Sequence, residues 1–431
     1  NMKFNREITT NQRIDRITTK TAVVGIDIAK DVHAARITDF RKRTLTPRHL
    51  SFSNDIHGFE KLMAWIQKTQ SQHGLASVIV GLEPTGHYWF NLANWLLERG
   101  IPVVLVNPVL THRSKENRDN SPSKNDPKDA LIIADLVNDG CYTEYRPQAE
   151  ELERLKTLMT NREFWADHWV SVTNYITRWI DLYFPEFRRV FKDWKETERA
   201  IATLRLFPLP CDLKGRTAEE IVEAWRSQGM KRPGGARGKA IAAELLRAAE
   251  RSIGYTRAPA EARQAIRDLI EEYERVKQRV EGLKEEIRGL VDLIPMARQL
   301  RSIPGLGPLI IAALLAFGGD LGLYRHGRQL LRKAGLNLAE RKSGKYQGQI
   351  KISKRGDSLL RKYLYLGTCI LVKDNAEFKQ MHAKNLGKGM KKMASIMKCI
   401  GKLARIVVGM ARHGESYRPE KWRQPPSNQA A

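Results

Sequence analysis

Cysteine is scarce: the 431 residues hold four, Cys141, Cys211, Cys369 and Cys399, far apart and with no C-x-x-C pair. That spacing excludes a disulfide scaffold, argues against a zinc site and points to a reducing compartment, with all four read as ordinary buried thiols. Long apolar runs are missing as well. The most apolar stretch, LIIAALLAF from Leu309 to Phe317, falls far short of the roughly 18 residues that suggest a membrane span. No secretory signal is legible at the start, so the expected location is cytoplasmic, with no membrane partner. Asn1 stands before Met2 and is set aside as an expression scar. Acidic residues are the third scarcity: 48 Asp and Glu face 74 Lys and Arg, giving a formal charge of +26 and a pI near 10.0. The deficit is steepest after Leu321, where 25 Lys or Arg stand against 6 Asp or Glu. Counterion release makes a polyanion the natural partner of such a chain, nucleic acid first. Charge alone leaves an enzyme and a purely architectural binder equally open.

The length suffices for two or three domains with sizeable cores. Residues 21–28, TAVVGIDI, form a β-branched run that reads as a buried strand, followed by strand candidates in VHAARITDF and LSFS. A helical spacing in IHGFEKLMAWIQKT leads to a strand and loop in ASVIVGLEPTG, an amphipathic helix in HYWFNLANWLLERG ended by Gly100, and a strand in IPVVLVNP. Strands that lead and helices that follow give an α/β domain with a mixed sheet. The polar, basic THRSKENRDNSPSKN reads as a non-core connection; it enters a helix in DPKDALIIADLVNDG with Asp126 as N-cap and Pro127 at the first helical position.

From about Ala149 to Trp194, and again from Pro259 to Ile294, apolar residues recur at three- and four-residue steps within charged sequence. This predicts a coiled-coil arm suited to dimerisation. Between them, residues 196–257 contain the basic, glycine-bearing MKRPGGARGKA, read as a solvated surface insertion. In SIPGLGPLIIAALLAF a Gly-x-Gly turn between helical runs resembles a helix-hairpin-helix, whose backbone N–H groups can meet phosphate oxygens; a plain helix connection is the alternative.

Asp27 interrupts an otherwise apolar strand, where a carboxylate is costly without a cation or hydrogen bonds. Glu83, at the end of another strand, would lie beside it if the two strands are neighbours, and Asp126 and Asp129 share one helix face by their spacing. Four carboxylates meeting at one end of a sheet repel one another unless they hold hard divalent ions, and Mg²⁺ prefers such oxygen ligands. Two ions about 4 Å apart are the arrangement for phosphodiester chemistry. An N-cap Asp and a surface Glu remain the cheaper explanation of the same residues.

GIDIAK, GLEPTGHYW, VNP and DPKDALIIADL, in that order and spacing, resemble the RuvC-like domain of the DEDD transposases, the Piv-type insertion-sequence family numbered one hundred and ten. SIPGLGPLIIAALLAF, LRKAGLNLAERKSGKYQG and ISKRGDSLLRKYLY look like that family's second, transposase domain, so the resemblance covers residues 21–140 and 298–410. It implies an α/β RNase H-like (RuvC-like) catalytic domain over residues 1–148, a helical coiled-coil arm with its insertion over 149–295, and a mostly α-helical, basic transposase domain over 296–431. Carried across, the family's metal-binding tetrad falls on Asp27, Glu83, Asp126 and Asp129, with two Mg²⁺ ions as the implied cofactor. Its nucleophilic serine falls on Ser343, where the residues alone show only a polar loop flanked by Arg341, Lys342 and Lys345. Those cations suit a scissile phosphate. The implied partners are DNA at the element ends and target, a non-coding bridge RNA, and further copies of the chain in a dimer or tetramer acting at the nucleoid. Lys354, Arg355, Arg361 and Lys362 are the remaining candidate backbone contacts, with a solvated helix face as the alternative. The insertion departs from the family's shorter members. Two rivals predict different things: a Holliday-junction resolvase of RuvC-like type would need the carboxylates but no serine, and a non-enzymatic nucleic-acid-binding protein would need neither.

Overall fold

A computed structural model describes residues 10–119, 126–230, 234–339, 342–343, 346–347 and 351–420. The chain divides into two units, Asn1–Pro147 and Gln148–Ala431.

In the first unit, the β-branched run folds as β1 (Thr21–Asp27), which continues into a meander with β2 (Val32–Thr38) and β3 (Leu50–Ser53). Two further strands, β4 (Ser77–Leu82) and β5 (Val103–Val106), extend the sheet in parallel to β1, and β6 (Tyr142–Glu144) closes it antiparallel. The order is β3-β2-β1-β4-β5-β6. Parallel neighbours need crossover helices, and here these are α1 (Ile56–His73) and α2 (Trp89–Glu98). Asp55 caps α1 by accepting from the Gly58 N–H at 2.8 Å, and Gly74 ends it in the left-handed region. Phe59, Leu62 and Ile66 of α1 and Leu92 and Leu96 of α2 share a core with Val24 and Ile26 on one face of the sheet. The other face meets Ile133 and Val137 of a later helix.

The basic connection after Asn107 is not a loop. It begins as helix α3 (Pro108–Asp119), with Pro108 in the first turn and the Asn107 side chain accepting from the Val109 N–H at 2.9 Å. No apolar stripe announced it: of its described side chains, Thr111 is buried and Leu110 packs against the core of the first unit. The following helix, α4 (Asp126–Asn138), forms where the sequence predicts one, but Asp126 is its first helical residue rather than its N-cap, and Pro127 its second.

In the second unit, α5 (Glu150–Tyr183) and α9 (Pro259–Leu293) pack along one another. They run antiparallel, since Trp179 near the end of α5 donates to the Ala262 carbonyl near the start of α9, while Leu155 shares a core with Ile287 and Val291. The described residues of MKRPGGARGKA are mostly exposed, as expected, but the segment is largely helical rather than a loop. Residues between α5 and α9 fold into α6 (Glu198–Leu206), α7 (Ala218–Ser227) and α8 (Gly235–Glu250) around a core shared with Ile176 and Ile180 of α5 and Ile266 and Ile270 of α9. Fully buried Trp225 anchors it, donating to Thr203 Oγ1 at 2.9 Å. Most of the glycine-bearing segment is the start of α8, and residues 231–233 lie outside the described part.

The rest is helical: α10 (Pro295–Arg301), α11 (Pro308–Gly318), α12 (Gly327–Lys333), α13 (Ser358–Asp374), α14 (Ala376–Gly387) and α15 (Lys392–His413). The run LIIAALLAF is the central helix of this core, with Ile310 through Gly318 all buried. Of the cysteines only Cys399 is buried; Cys141 and Cys369 are half-buried and Cys211 is exposed, so the reading of four buried thiols holds for one. No helix of the described residues is long and apolar enough to cross a membrane.

Candidate functional site

Two glycines set the geometry of the first unit's carboxylates. Gly25 and Gly81 face each other on the parallel strands β1 and β4. A Cβ on Gly25 would lie 2.1 Å from the Ala130 carbonyl oxygen, and one on Gly81 2.5 Å from a methyl of Val137. Absent side chains thus let α4 settle directly on this face. Strand side chains alternate, so the same face next carries Asp27 and Glu83, one step beyond the paired Ile26 and Leu82. The direction of α4 follows from its other end, where Asn138 Nδ2 donates to Thr38 Oγ1 at 3.1 Å and Thr38 pairs with Val23. Its first turn, with Asp126 and Asp129, is therefore at the Asp27 end. Asp129 is buried, Asp27 and Glu83 half-buried; the Asp126 side chain lies outside the described part.

Among the described residues, no three His, Cys, Asp or Glu side chains form a group able to hold a metal ion. The chemistry of the donors nevertheless suits one: hard carboxylate oxygens from two adjacent strand ends and one helix start are the ligand type that Mg²⁺ takes.

The sequence reading missed His33. Fully buried on β2, it accepts the Ala29 N–H on Nδ1 at 3.2 Å and so ties down the turn that follows Asp27. Burial lowers its pKa, which keeps the ring neutral and able to accept. Asn54 holds the same turn by donating to the Lys30 carbonyl at 3.1 Å. A histidine among inward-facing apolar residues of a strand was the available signal.

Ser343 belongs to the second unit, on a short two-stranded extension rather than a plain loop. At its root β7 (Leu338–Ala339) pairs with β10 (Lys351–Ile352); toward its tip β8 (Lys342–Ser343) pairs with β9 (Tyr346–Gln347), placing Ser343 opposite Tyr346. The side chains of Lys342 and Ser343 lie outside the described part, as do Arg341 and Lys345 altogether. The root is clamped. Ser353 donates to Asn337 Oδ1 at 2.7 Å, and Arg361 donates to the Ala334 carbonyl at 2.8 Å and the Lys354 carbonyl at 3.4 Å. Gly335 and Gly356 pack so closely there that a Cβ on Gly356 would lie 2.2 Å from the Lys333 carbonyl oxygen.

The four downstream cations divide accordingly. Lys354 and Arg355 are exposed at the root. Arg361 is engaged in the clamp, and Lys362 donates to Glu163 Oε2 at 2.5 Å. Glu163 is buried on α5 and also accepts from Arg162 and the Tyr363 hydroxyl. Burial alone would raise its pKa, but the bonds from Lys362, Tyr363 and Arg162 hold it below the usual carboxylate value.

Comparison with known proteins adds two family matches. Residues 24–185 match a model of DEDD transposases of the IS110 type, described as transposase, and residues 297–383 match the transposase IS116/IS110/IS902 family. A relative spanning nearly the whole chain is the insertion element IS116 uncharacterized 44.8 kDa protein of Streptomyces clavuligerus, 24% identical over 95% of this chain and 98% of its own length. The mini-circle putative transposase for IS117 of Streptomyces coelicolor is 26% identical over 75% of this chain and 78% of its own. The pilin gene-inverting protein of Moraxella lacunata is 29% identical over 32% of this chain and 41% of its own.

Proposed function

Because this chain belongs to the IS110 family of DEDD transposases, we propose that it excises and inserts an insertion sequence, cutting and rejoining DNA strands with Ser343 as nucleophile and with divalent metal held on four carboxylates. It is an enzyme acting on DNA. The observation that carries the finer reading is the meeting of Asp27 and Glu83 at the ends of adjacent parallel strands, under the first turn of α4. An antiparallel three-strand meander continued by two parallel strands supports an RNase H-like, RuvC-like identity for residues 1–148. The antiparallel pair α5 and α9 supports a coiled-coil arm over 149–295, with 296–431 as the transposase domain.

Asp27, Glu83, Asp126 and Asp129 would hold divalent ions, Mg²⁺ by donor type, which supply positive charge to the attacking and leaving oxygens when bound. Gly25 and Gly81 set the depth of α4, and His33 fixes the turn behind Asp27. Ser343 Oγ forms the new P–O bond and loses its proton; the bond to a sugar oxygen breaks and that oxygen leaves as a hydroxyl. The resulting phosphoserine keeps the phosphodiester's energy, so a second sugar hydroxyl can reverse the step without ATP. Clamping the extension at its root gives the serine a defined reach. The net charge of +26 supports nucleic-acid partners; the family resemblance adds a bridge RNA that pairs with donor and target DNA and a dimer or tetramer as the working form.

The test is recombination of a plasmid substrate by Asp27→Asn, Glu83→Gln, Asp126→Asn and Asp129→Asn. Each should lose strand cleavage at least 100-fold while binding DNA normally in EDTA. Near-wild-type activity in three of the four sinks the shared metal site.

A further inference from the structure

The exposed side of the last helical hairpin carries a charge pattern that neither the serine nor the carboxylates use. From Phe378 to Gly414 the sequence has nine Lys or Arg and no Asp or Glu. Lys402 is buried and paired with Glu377 Oε1 at 2.6 Å. The other eight are exposed on α14, the turn at Gly389 and α15. Four of them, Lys391, Lys398, Arg405 and Arg412, recur at seven-residue steps. Such steps keep them on one side of α15, drifting about 20° per step and spaced about 10 Å apart. The opposite side, with Ile396, Cys399, Leu403 and Val407, is buried in the core. No carboxylate among the described residues pairs with Lys391, Lys398 or Arg405.

The chemistry of the stripe narrows the partner. Between Phe378 and Gly414 there is no Phe, Tyr or Trp, so the surface lacks the large aromatic platforms on which successive unpaired bases stack. Ser395 is the one hydroxyl or amide side chain from Lys391 to Arg412, and it is buried against His382 Nδ1 at 2.7 Å. Nothing on the stripe can therefore both donate to and accept from ribose 2′-hydroxyls. What remains is a row of donors suited to phosphates, with small Ala394 and Gly401 between them where a backbone can approach. The row spans about 30 Å, close to one turn of B-form duplex.

We propose that this face of α15 docks the sugar–phosphate backbone of duplex DNA, independently of base sequence. The inference rests on the chain being an enzyme acting on DNA, but not on Ser343 or the carboxylates. The test is binding of the full-length protein, in EDTA, to a DNA duplex of about three turns across a salt series. The variant combines Lys391→Gln, Lys398→Gln and Arg405→Gln, and a control with equal charge loss combines the exposed Arg247→Gln, Arg257→Gln and Arg267→Gln. The stripe variant should flatten the slope of log K against log salt by about 2 to 3, equally on unrelated sequences, while the control shifts it by less than about 1. Lys398→Gln alone should remove about 1 from the slope and guards against misfolding of the triple variant. A control as damaging as the stripe variant, an unchanged slope, or a greater loss of affinity for an RNA duplex of the same length would overturn the proposal. Cleavage by Ser343→Ala would sink the nucleophile reading and leave this binding result standing.

Discussion

At the scale of single residues, Gly25 is as telling as the carboxylates it sits beside. Any side chain there collides with the backbone of α4, and overpacking of this kind costs about 1–3 kcal/mol. Gly25→Ala should therefore lower the melting temperature by several degrees and depress cleavage, because the turn bearing Asp129 is pushed off the Asp27 end. Thermal melts and plasmid recombination check it; a variant with unchanged melting and activity would contradict the packing argument. Asp27 and Glu83 were legible in the sequence because a carboxylate ending an apolar strand is costly without a reason. Gly25 and Gly81 were not, since their meaning depends on which helix lands on which strand; His33 left a signal as a histidine within an apolar strand, but its role depends on the turn it ties down. Ser343 is proposed only through family resemblance, for a polar loop serine has no signature of its own.

Elements show where periodicity succeeds and where it fails. Strands β1, β4 and β5 follow from short continuous apolar, β-branched runs, and the helices α5 and α9 from three-to-four spacing. Helix α3 escaped because it lacks an apolar stripe, and the insertion was underrated because its glycine run masked the start of α8. The hairpin root gives one prediction at this scale. Arg361→Gln removes a donor shared by the Ala334 and Lys354 carbonyls, so amide exchange at Ser353 and Lys354 should speed up and cleavage at saturating DNA should fall about tenfold. The salt slope of binding should stay as in wild type; a slope reduced by about 1 would instead make Arg361 a phosphate contact.

Glu163 gives another. Its folded pKa is depressed, so its contribution is full above the unfolded carboxylate pKa, near 4.5, and is lost as pH falls through the folded value. Glu163→Gln strands the half-buried Arg162 and should cost about 2 kcal/mol at neutral pH, less than a fully buried pair. The difference from wild type should shrink below about pH 4, and melts of both proteins across pH 3–7 would show it. A difference that is flat with pH would mean the carboxylate's charge does not support the joint between α5 and α13.

For the whole molecule, the decisive features are a lopsided charge and a division into two units, with the four candidate carboxylates in the first and Ser343 in the second. The basic excess predicts that protein purified at low salt carries nucleic acid and releases it at high salt; a clean absorbance ratio without the wash would count against an RNA partner. The central claim is that Ser343 joins DNA covalently. The direct measurement is a denaturing gel of the full-length enzyme incubated with Mg²⁺ and a nicked suicide substrate. Wild type should give a protein–DNA adduct, and Ser343→Ala, folded and DNA-binding, should give none. An adduct that survives in the alanine variant, or wild-type cleavage that releases only free DNA ends, would contradict the account.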